Sequence, residues 1–536
     1  MNANNRRQFL QRLAALSGMG AVAPLGLSLS AMTQASAQSS GATDYRALVC
    51  IVLNGGNDSF NTVLATDQAS WQHYTHHREK KDGYTFGIAL PEPGKAANPS
   101  ADPGDPARLG GVLPIDHQKR TIHSGRSFAL HPALGKLQNL YSAGRVAVLA
   151  NVGPLIQPTK KTDYLTPTFG KPAKLFSHND QQSTWQSFEP EGAIVGWGGL
   201  MGDALMDRNG SGESAATIQR SFTCISPGGA SVWLAGNAVQ PYQSSTTSIL
   251  GLGYGGTIYG HAGLHNAVAA IMGKPNSDGS GERLIKERNL LHRDHQNVAQ
   301  RGFKASELLG SKLVIHGAAP WATPAGADDY KVFDDELLKY TSVIDGSRKT
   351  NPLALQLQMV ARLIATNASG SLGITRQFFM VNLGGFDHHD NQIQEQAERL
   401  AQLDHAMFYF DTVLGSMPAG DMRSQVTTFT ISEFGRTFTS NGDGTDHGWG
   451  GHHFIMGGAV SGTEIYGTFP TYSSADKDGN FSSPDQIENG SLIPSTSVDQ
   501  YAYTLGRWMG VSDSDLSNIL PHIGQFSVRD LGFMKG

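Results

Sequence analysis

The chain has 536 residues with 41 basic and 46 acidic side chains, a formal net charge of −5, and no basic block. That balance makes nucleic acid and anionic membrane poor partners. Only two cysteines are present, Cys50 and Cys224, so a four-cysteine zinc site is excluded. Each sits in an apolar run, and two buried thiols are expected in preference to a disulfide.

Arg6-Arg7, a weakly apolar run to about Leu29 and Ala35-Ser36-Ala37 predict a twin-arginine signal peptide over residues 1–37. The run is short and broken by Gly, Pro and Ser, which argues against a transmembrane anchor. Cleavage removes three of the 41 basic side chains and none of the 46 acidic ones, taking the formal charge from −5 to −8. The expected location is periplasmic or secreted, reached in the folded state. No later stretch is long enough to span a bilayer. Strand and helix patterns alternate from end to end, so residues 38–536 are expected to form a single α/β domain. Its insertions fall near 70–128 and 205–350.

Ala47 to Leu53 is a continuous apolar run of the kind that forms a central parallel strand. It enters the turn Asn54-Gly55-Gly56-Asn57-Asp58, where glycine lets backbone and side chains approach a ligand closely. The Gly-Lys-Ser/Thr ending of a phosphate-binding loop is missing. Residues 70–128 are polar and rich in proline and glycine, with no sustained period. A short helix after His131-Pro132 is stopped by Gly144, and Arg145 to Val152 reads as a second buried strand. Ser177 precedes Asp180 by three positions, the pattern of a helix N-cap. The same placement would suit a serine nucleophile at a helix N-terminus, with His178 as base, ligand or supporting group.

Strand-like pieces follow at Arg220 to Ser226 and Ser231 to Ala235, then a glycine-rich loop over 250–262 and a polar helix from Gly281 to Leu309. His292 and His295 on that helix read as solvated surface. Pro352 to Ala365 is an amphipathic helix with proline near its start. Arg376 to Leu383 is a strand running into Gly384-Gly385-Phe386-Asp387-His388-His389. Helix 392–414 follows, then a strand from Val426 to Ile431, another from Phe454 to Val460, and a terminal helix from Val498 to Met509.

Three apolar strands, ending at Leu53, Leu383 and Ile431, each meet an acid within about five residues. In an open α/β sheet, ligands bind beyond the carboxyl ends of the strands. If the three are parallel, Asp58, Asp387 and Glu433 rise on one edge with His389, Asp446, His447 and His452 or His453 beside them. Crowded carboxylates repel one another, so one or two divalent cations are the natural counter-charge. Carboxylate and imidazole donors suit Zn²⁺, Mn²⁺, Fe²⁺, Mg²⁺ or Ca²⁺ without deciding among them. Arg436 is then a candidate for bidentate grip on an oxyanion.

The segments LNGGNDSFN, SHNDQQSTW, GGFDHHDNQ, ISEFGRT, GTDHGWGGHHF and DQYAYTLGRWMGV, with the signal peptide and His131-Pro132, run over nearly the whole mature chain. In them the chain resembles the twin-arginine-exported family catalogued as domain of unknown function fifteen-oh-one, which is placed in the alkaline phosphatase and sulfatase superfamily. The resemblance implies a three-layer α/β/α sandwich with a large, mostly parallel sheet and a metal site at the strand ends. It further implies Ser177 as nucleophile, Asp58 as the acid after the first strand, Asp387 with His389 as a metal pair, and Glu433 and His447 as further ligands. Phe434 departs from the pattern, because it follows Glu433 where the superfamily has a histidine. Either one of two metal sites is then lost or rebuilt from Asp446 and His452, or the site is degenerate. No Cys-x-Pro/Ser-x-Arg motif is present, which argues against a sulfatase nucleophile. The expected function is metal-dependent hydrolysis of a phosphate or sulfate ester on a small molecule or glycan. The alternatives are a non-catalytic envelope binding protein on the same scaffold and a metal-dependent isomerase or transferase.

Overall fold

Nine strands form one sheet in the computed structural model, which describes residues 44–117, 121–209, 221–249, 258–272, 290–325, 329–370 and 372–535. The chain divides into two compact units, 1–45 and 46–536, and the second holds everything discussed below. In chain order the sheet strands are β1 (Arg46–Asn54), β2 (Val146–Gly153), β3 (Cys224–Ser226), β4 (Tyr242–Gln243), β5 (Arg376–Gly384) and β6 (Val426–Ser432). A separate two-stranded ribbon, β7 (Arg436–Ser440) and β8 (Thr445–His447), comes next. Then β9 (Gly451–Met456), β10 (Ile465–Tyr466) and β11 (Thr496–Ser497) return to the main sheet. Its order is β10-β2-β9-β6-β1-β5-β3-β4, with β11 also on β2. Only the pairings of β9, with β6 and with β2, are antiparallel.

The helices used below are α1 (Gln68–Arg78), α2 (Gly135–Ser142), α3 (His178–Ser187), α4 (Trp197–Leu205), α5 (Pro352–Ala368), α6 (Gln392–Gly415) and α7 (Val498–Met509). Ala47 to Leu53 in β1 are all buried, which explains the unbroken apolar run: a central parallel strand is covered on both faces. Leu48, Cys50 and Val52 join one core with Trp197 and Met201 of α4 and Tyr501 and Leu505 of α7. Helices α5 and α6 pack on each other and against β5. Cys50 and Cys224 are buried free thiols on strands separated by β5. No helix among the described residues is long and apolar enough to cross a membrane.

The central strands lie adjacent and parallel, with Asn54 of β1 opposite Gly384 of β5 and Leu53 opposite Ser432 of β6. Their carboxyl ends therefore deliver three loops side by side. Because β9 runs the other way, its first residues, Gly451 to His453, start at that same edge.

Helix α7 matches its expected bounds because both ends are written locally. Ser497 caps the backbone of Asp499, Gln500 reaches back to the Ser497 N–H, and Gly510 at φ +90° ends the helix. Elsewhere the structure differs. The polar stretch after residue 67 contains α1, capped by Asp67. Residues 231–235 form a turn, not a strand. The strand expected at Phe454 to Val460 starts earlier, at Gly451, and stops at Met456. The polar helix is described from Leu290 to Lys312. The signal peptide, Arg220, residues 250–257 and 281–289, and the side chains of His292 and His295 lie outside the described residues.

One buried acid makes stability depend on pH. Asp404 on α6 accepts the Leu137 N–H at 2.7 Å, so it caps α2 from another helix. Burial pushes its carboxyl up to about 7, although the Leu137 hydrogen bond and Lys136 act in the other direction. The folded state thus keeps this proton up to about pH 7, whereas an unfolded aspartate loses it near pH 4. The contribution is present below pH 4 and is lost as pH rises through 7. Asp404→Asn keeps the acceptor and should stabilise the protein at pH 8 by roughly 2–4 kcal/mol. Little change is expected at pH 4. Urea unfolding at the two pH values checks this, and equal destabilisation at both would contradict it.

Candidate metal centre

Asp387 stands at the middle of the strand-end site, five residues beyond Asn382 of β5. Three imidazoles face its carboxylate. His178 Nε2 lies 3.3 Å from Oδ2, and His389 Nε2 and His447 Nε2 lie 3.1 and 3.3 Å from Oδ1. His389 Nε2 and His447 Nε2 are themselves 3.1 Å apart. Suitable donor atoms of His178, Asp387 and His447 all fall within 4.8 Å of one another.

The far sides of the His178 and His447 rings are hydrogen-bonded to acceptors, and that of His389 faces a carboxylate. His178 Nδ1 meets Glu433 Oε2 at 2.5 Å, and His447 Nδ1 meets the Phe176 carbonyl at 2.7 Å. His389 Nδ1 lies 3.3 Å from Asp446 Oδ1. Where Nδ1 carries the only ring proton, the Nε2 lone pair of a neutral ring is left pointing at Asp387. Three lone pairs and a carboxylate facing one another repel unless a cation lies between them. This is the usual arrangement of metal-ligating histidines, whose other nitrogen donates to a carboxylate or backbone carbonyl. Donors bound at about 2.0–2.1 Å around one ion sit about 3–3.4 Å apart, as do His389 Nε2, His447 Nε2 and Asp387 Oδ1.

The supporting shell is built from all three loops. Glu433 is buried, and its Oε1 accepts the Gly55 N–H at 3.0 Å. Arg436 is fully buried among the carbonyls of Gly55, Gly56, Phe386 and Thr445, with Nη2 2.5 Å from Asp387 Oδ1. Burial alone would raise the Asp387 carboxyl, but the hydrogen bond and charge of Arg436 outweigh it and hold its pKa below the usual value. Burial lowers the pKa of His447, against the effect of its bond to Phe176, which favours the neutral ring a metal requires. Phe434 packs on the rings of His447 and His178, at centroid distances of 4.5 and 5.0 Å. A Cβ on Gly56, whose φ is +81°, would sit 2.2 Å from the Phe434 ring, so glycine is required there. Phe176 holds a left-handed backbone at φ +73° while it presents its carbonyl to His447. Such strain persists only where the surroundings impose it.

Not every expected site residue joins this cluster. Asp58 is buried in an ion pair with Arg78 of α1, and it also accepts from Gln392 Nε2 and the Phe60 N–H. With its oxygens so engaged, it is an internal strut and not a ligand. His452 is buried too: Nδ1 accepts the Asn151 N–H at 2.9 Å and the ring stacks on Phe469. His453 packs against Trp185. Arg436 is enclosed and cannot grip an oxyanion. Ser177 stands at the N-cap of α3 but makes no backbone capping bond. It donates to Asp180 Oδ2 at 2.8 Å, while the neighbouring His178 turns to Glu433 and Asp387. Glu433 meets His178 Nδ1, and Asp446 lies beside His389 Nδ1, on the ring edges away from Asp387. The roles of Phe176 and Arg78 had no signal in the sequence, because each arises from contacts between distant loops.

Residues 360–523 match the family model described as a protein of unknown function (DUF1501). No curated protein matches the chain. The matched span takes in Asp387, His389, Glu433, Arg436, Asp446 and His447, whereas His178 and the Gly55-Gly56 turn lie outside it.

Proposed function

We propose that the chain is an exported, metal-dependent hydrolase of phosphate or sulfate esters, with one divalent ion held by His178, Asp387, His389 and His447. The observation that carries this reading is the convergence of three Nε2 atoms on Asp387, with the Nδ1 atoms of His178 and His447 hydrogen-bonded from behind. Three imidazoles and one carboxylate favour Zn²⁺, Fe²⁺ or Mn²⁺ over Mg²⁺ and Ca²⁺, which prefer oxygen. The engagement of Asp58 and His452 elsewhere supports a single centre. An ion bound there would supply Lewis acidity toward an ester oxygen and toward water by taking a fifth donor beside its four protein ligands. Arg436 orients Asp387, and Glu433 holds the His178 proton at Nδ1. Export rests on residues 1–37, and the ester class and the alkaline phosphatase-like arrangement rest on the resemblance set out above.

The locked Arg436 favours a second reading, a non-catalytic binding protein, because it removes the expected grip on the ester anion. Turnover of p-nitrophenyl phosphate and p-nitrophenyl sulfate by the metal-loaded chain separates the two. The hydrolase reading predicts chelator-sensitive turnover of one ester, reduced at least about 100-fold in His447→Ala and retained within a few-fold in Ser177→Ala. No turnover of either ester by fully loaded protein favours the binding reading.

A further inference from the structure

A second feature opens at the same strand ends: a cleft of about 410 Å³ between β1, β5, α3 and two loops near residues 191–193 and 230–232. Asn54, Asn179, Gln182 and Asn382 line it, and its single charged lining residue is Glu191. Three of the amides form a file. Gln182 Nε2 donates to Asn54 Oδ1 at 3.0 Å, Asn54 Nδ2 to Asn382 Oδ1 at 3.4 Å, and Asn382 Nδ2 to the Gly228 carbonyl at 2.7 Å. The file fixes which way each amide points. Gln182 Oε1 and the exposed Asn179 amide have no protein partner among the described residues, so acceptor and donor groups are left facing the cleft.

The chemistry of this lining selects its ligand. With no lysine or arginine, it offers nothing to balance an anion. Fixed amides that donate and accept at neighbouring points match a hydroxyl, which does both. A volume of this size lies within the range of small-molecule sites. Gln182 is four residues from His178 on α3 and therefore shares its face, one turn of about 5.4 Å along the axis. Asn54 ends the strand that leads into the Gly55-Gly56 turn beneath Asp387.

We infer that this cleft binds a neutral, polyhydroxylated sugar unit and presents it beside the metal centre. Taken with the proposed hydrolase reading, on which this part rests, the substrate is an ester borne on a carbohydrate. The sugar is held by the amides, and the ester group reaches His178 and Asp387.

Saturation-transfer NMR of the full chain with maltose, cellobiose, lactose and chitobiose tests the cleft directly, alongside metal analysis of the same samples. At least one disaccharide should show transfer. The double variant Gln182→Leu/Asn179→Leu should weaken its binding at least tenfold and leave metal content at the wild-type level. No transfer from any of the four, or equal binding by the variant, overturns the cleft assignment. Sugar binding without any metal leaves the cleft intact and removes the hydrolase reading, so the two failures are distinguishable.

Discussion

Asp387→Ala is expected to abolish tight binding of zinc-class metal ions and, with it, any metal-dependent turnover. Its carboxylate is the one group that all three imidazoles face. Its removal leaves three neutral donors with no anion to neutralise the ion and no common point to hold them. The supporting residues act by degree. Glu433→Gln keeps an acceptor for His178 but loses the charge, and partners of this kind are worth about 10–100-fold in metal affinity. Competitive titration against a coloured chelator measures both. The expected order is wild type tightest, Glu433→Gln weaker by about one to two decades, and Asp387→Ala without detectable binding. Wild-type affinity in Asp387→Ala would remove the carboxylate from the site altogether.

Breaking the pair between Arg78 and Asp58 should have the largest effect on stability. Both side chains are fully buried, and Arg78 also donates to the carbonyls of Thr437 and Phe438, which ties α1 to β7. Arg78→Ala leaves the Asp58 carboxylate buried with no counter-charge, a loss of roughly 3–5 kcal/mol. Asp58→Asn keeps the shape and the acceptor for Phe60 but leaves the guanidinium unpaired, so it should cost a similar amount. Unfolding by urea, followed by far-UV circular dichroism, gives the values. The informative control is metal content of whatever Asp58→Asn protein folds: it should equal wild type. Loss of metal at unchanged stability would restore Asp58 as a ligand.

The sequence made the frame of the site legible and left its division of labour hidden. The strands β1, β5 and β6 announce themselves because central parallel strands must be apolar on both faces, and they end at Asn54, Gly384 and Ser432 with an acid within the next four residues. That pattern placed Asp387 and Glu433 on one edge, together with Asp58. Whether an acid ligates or supports depends on what surrounds it. Asp58 meets Arg78 from a helix 20 residues on, inside a polar stretch with no apolar period to mark it. Glu433 meets His178 across 255 residues. Arg436 looked free to bind an anion because the carbonyls that enclose it come from three separate loops. His452 and His453 share a local sequence with His447, yet β9 carries both into the core. Only the register of an antiparallel strand separates them, and the shift of that strand by three residues from its expected start shows how weakly the Gly-Gly-His-His stretch specifies it.

The central claim is that three histidines and Asp387 bind one metal ion. X-ray absorption at the metal edge, on full chain purified without chelator and loaded with zinc, tests it most directly. One ion per chain is expected, with multiple-scattering features of three imidazoles and light oxygen donors at about 2.0–2.1 Å. His447→Ala should lose one imidazole from that signature. Absence of stoichiometric zinc, or a shell of oxygen alone, would contradict the account and leave the cluster as hydrogen-bonded side chains that share a proton.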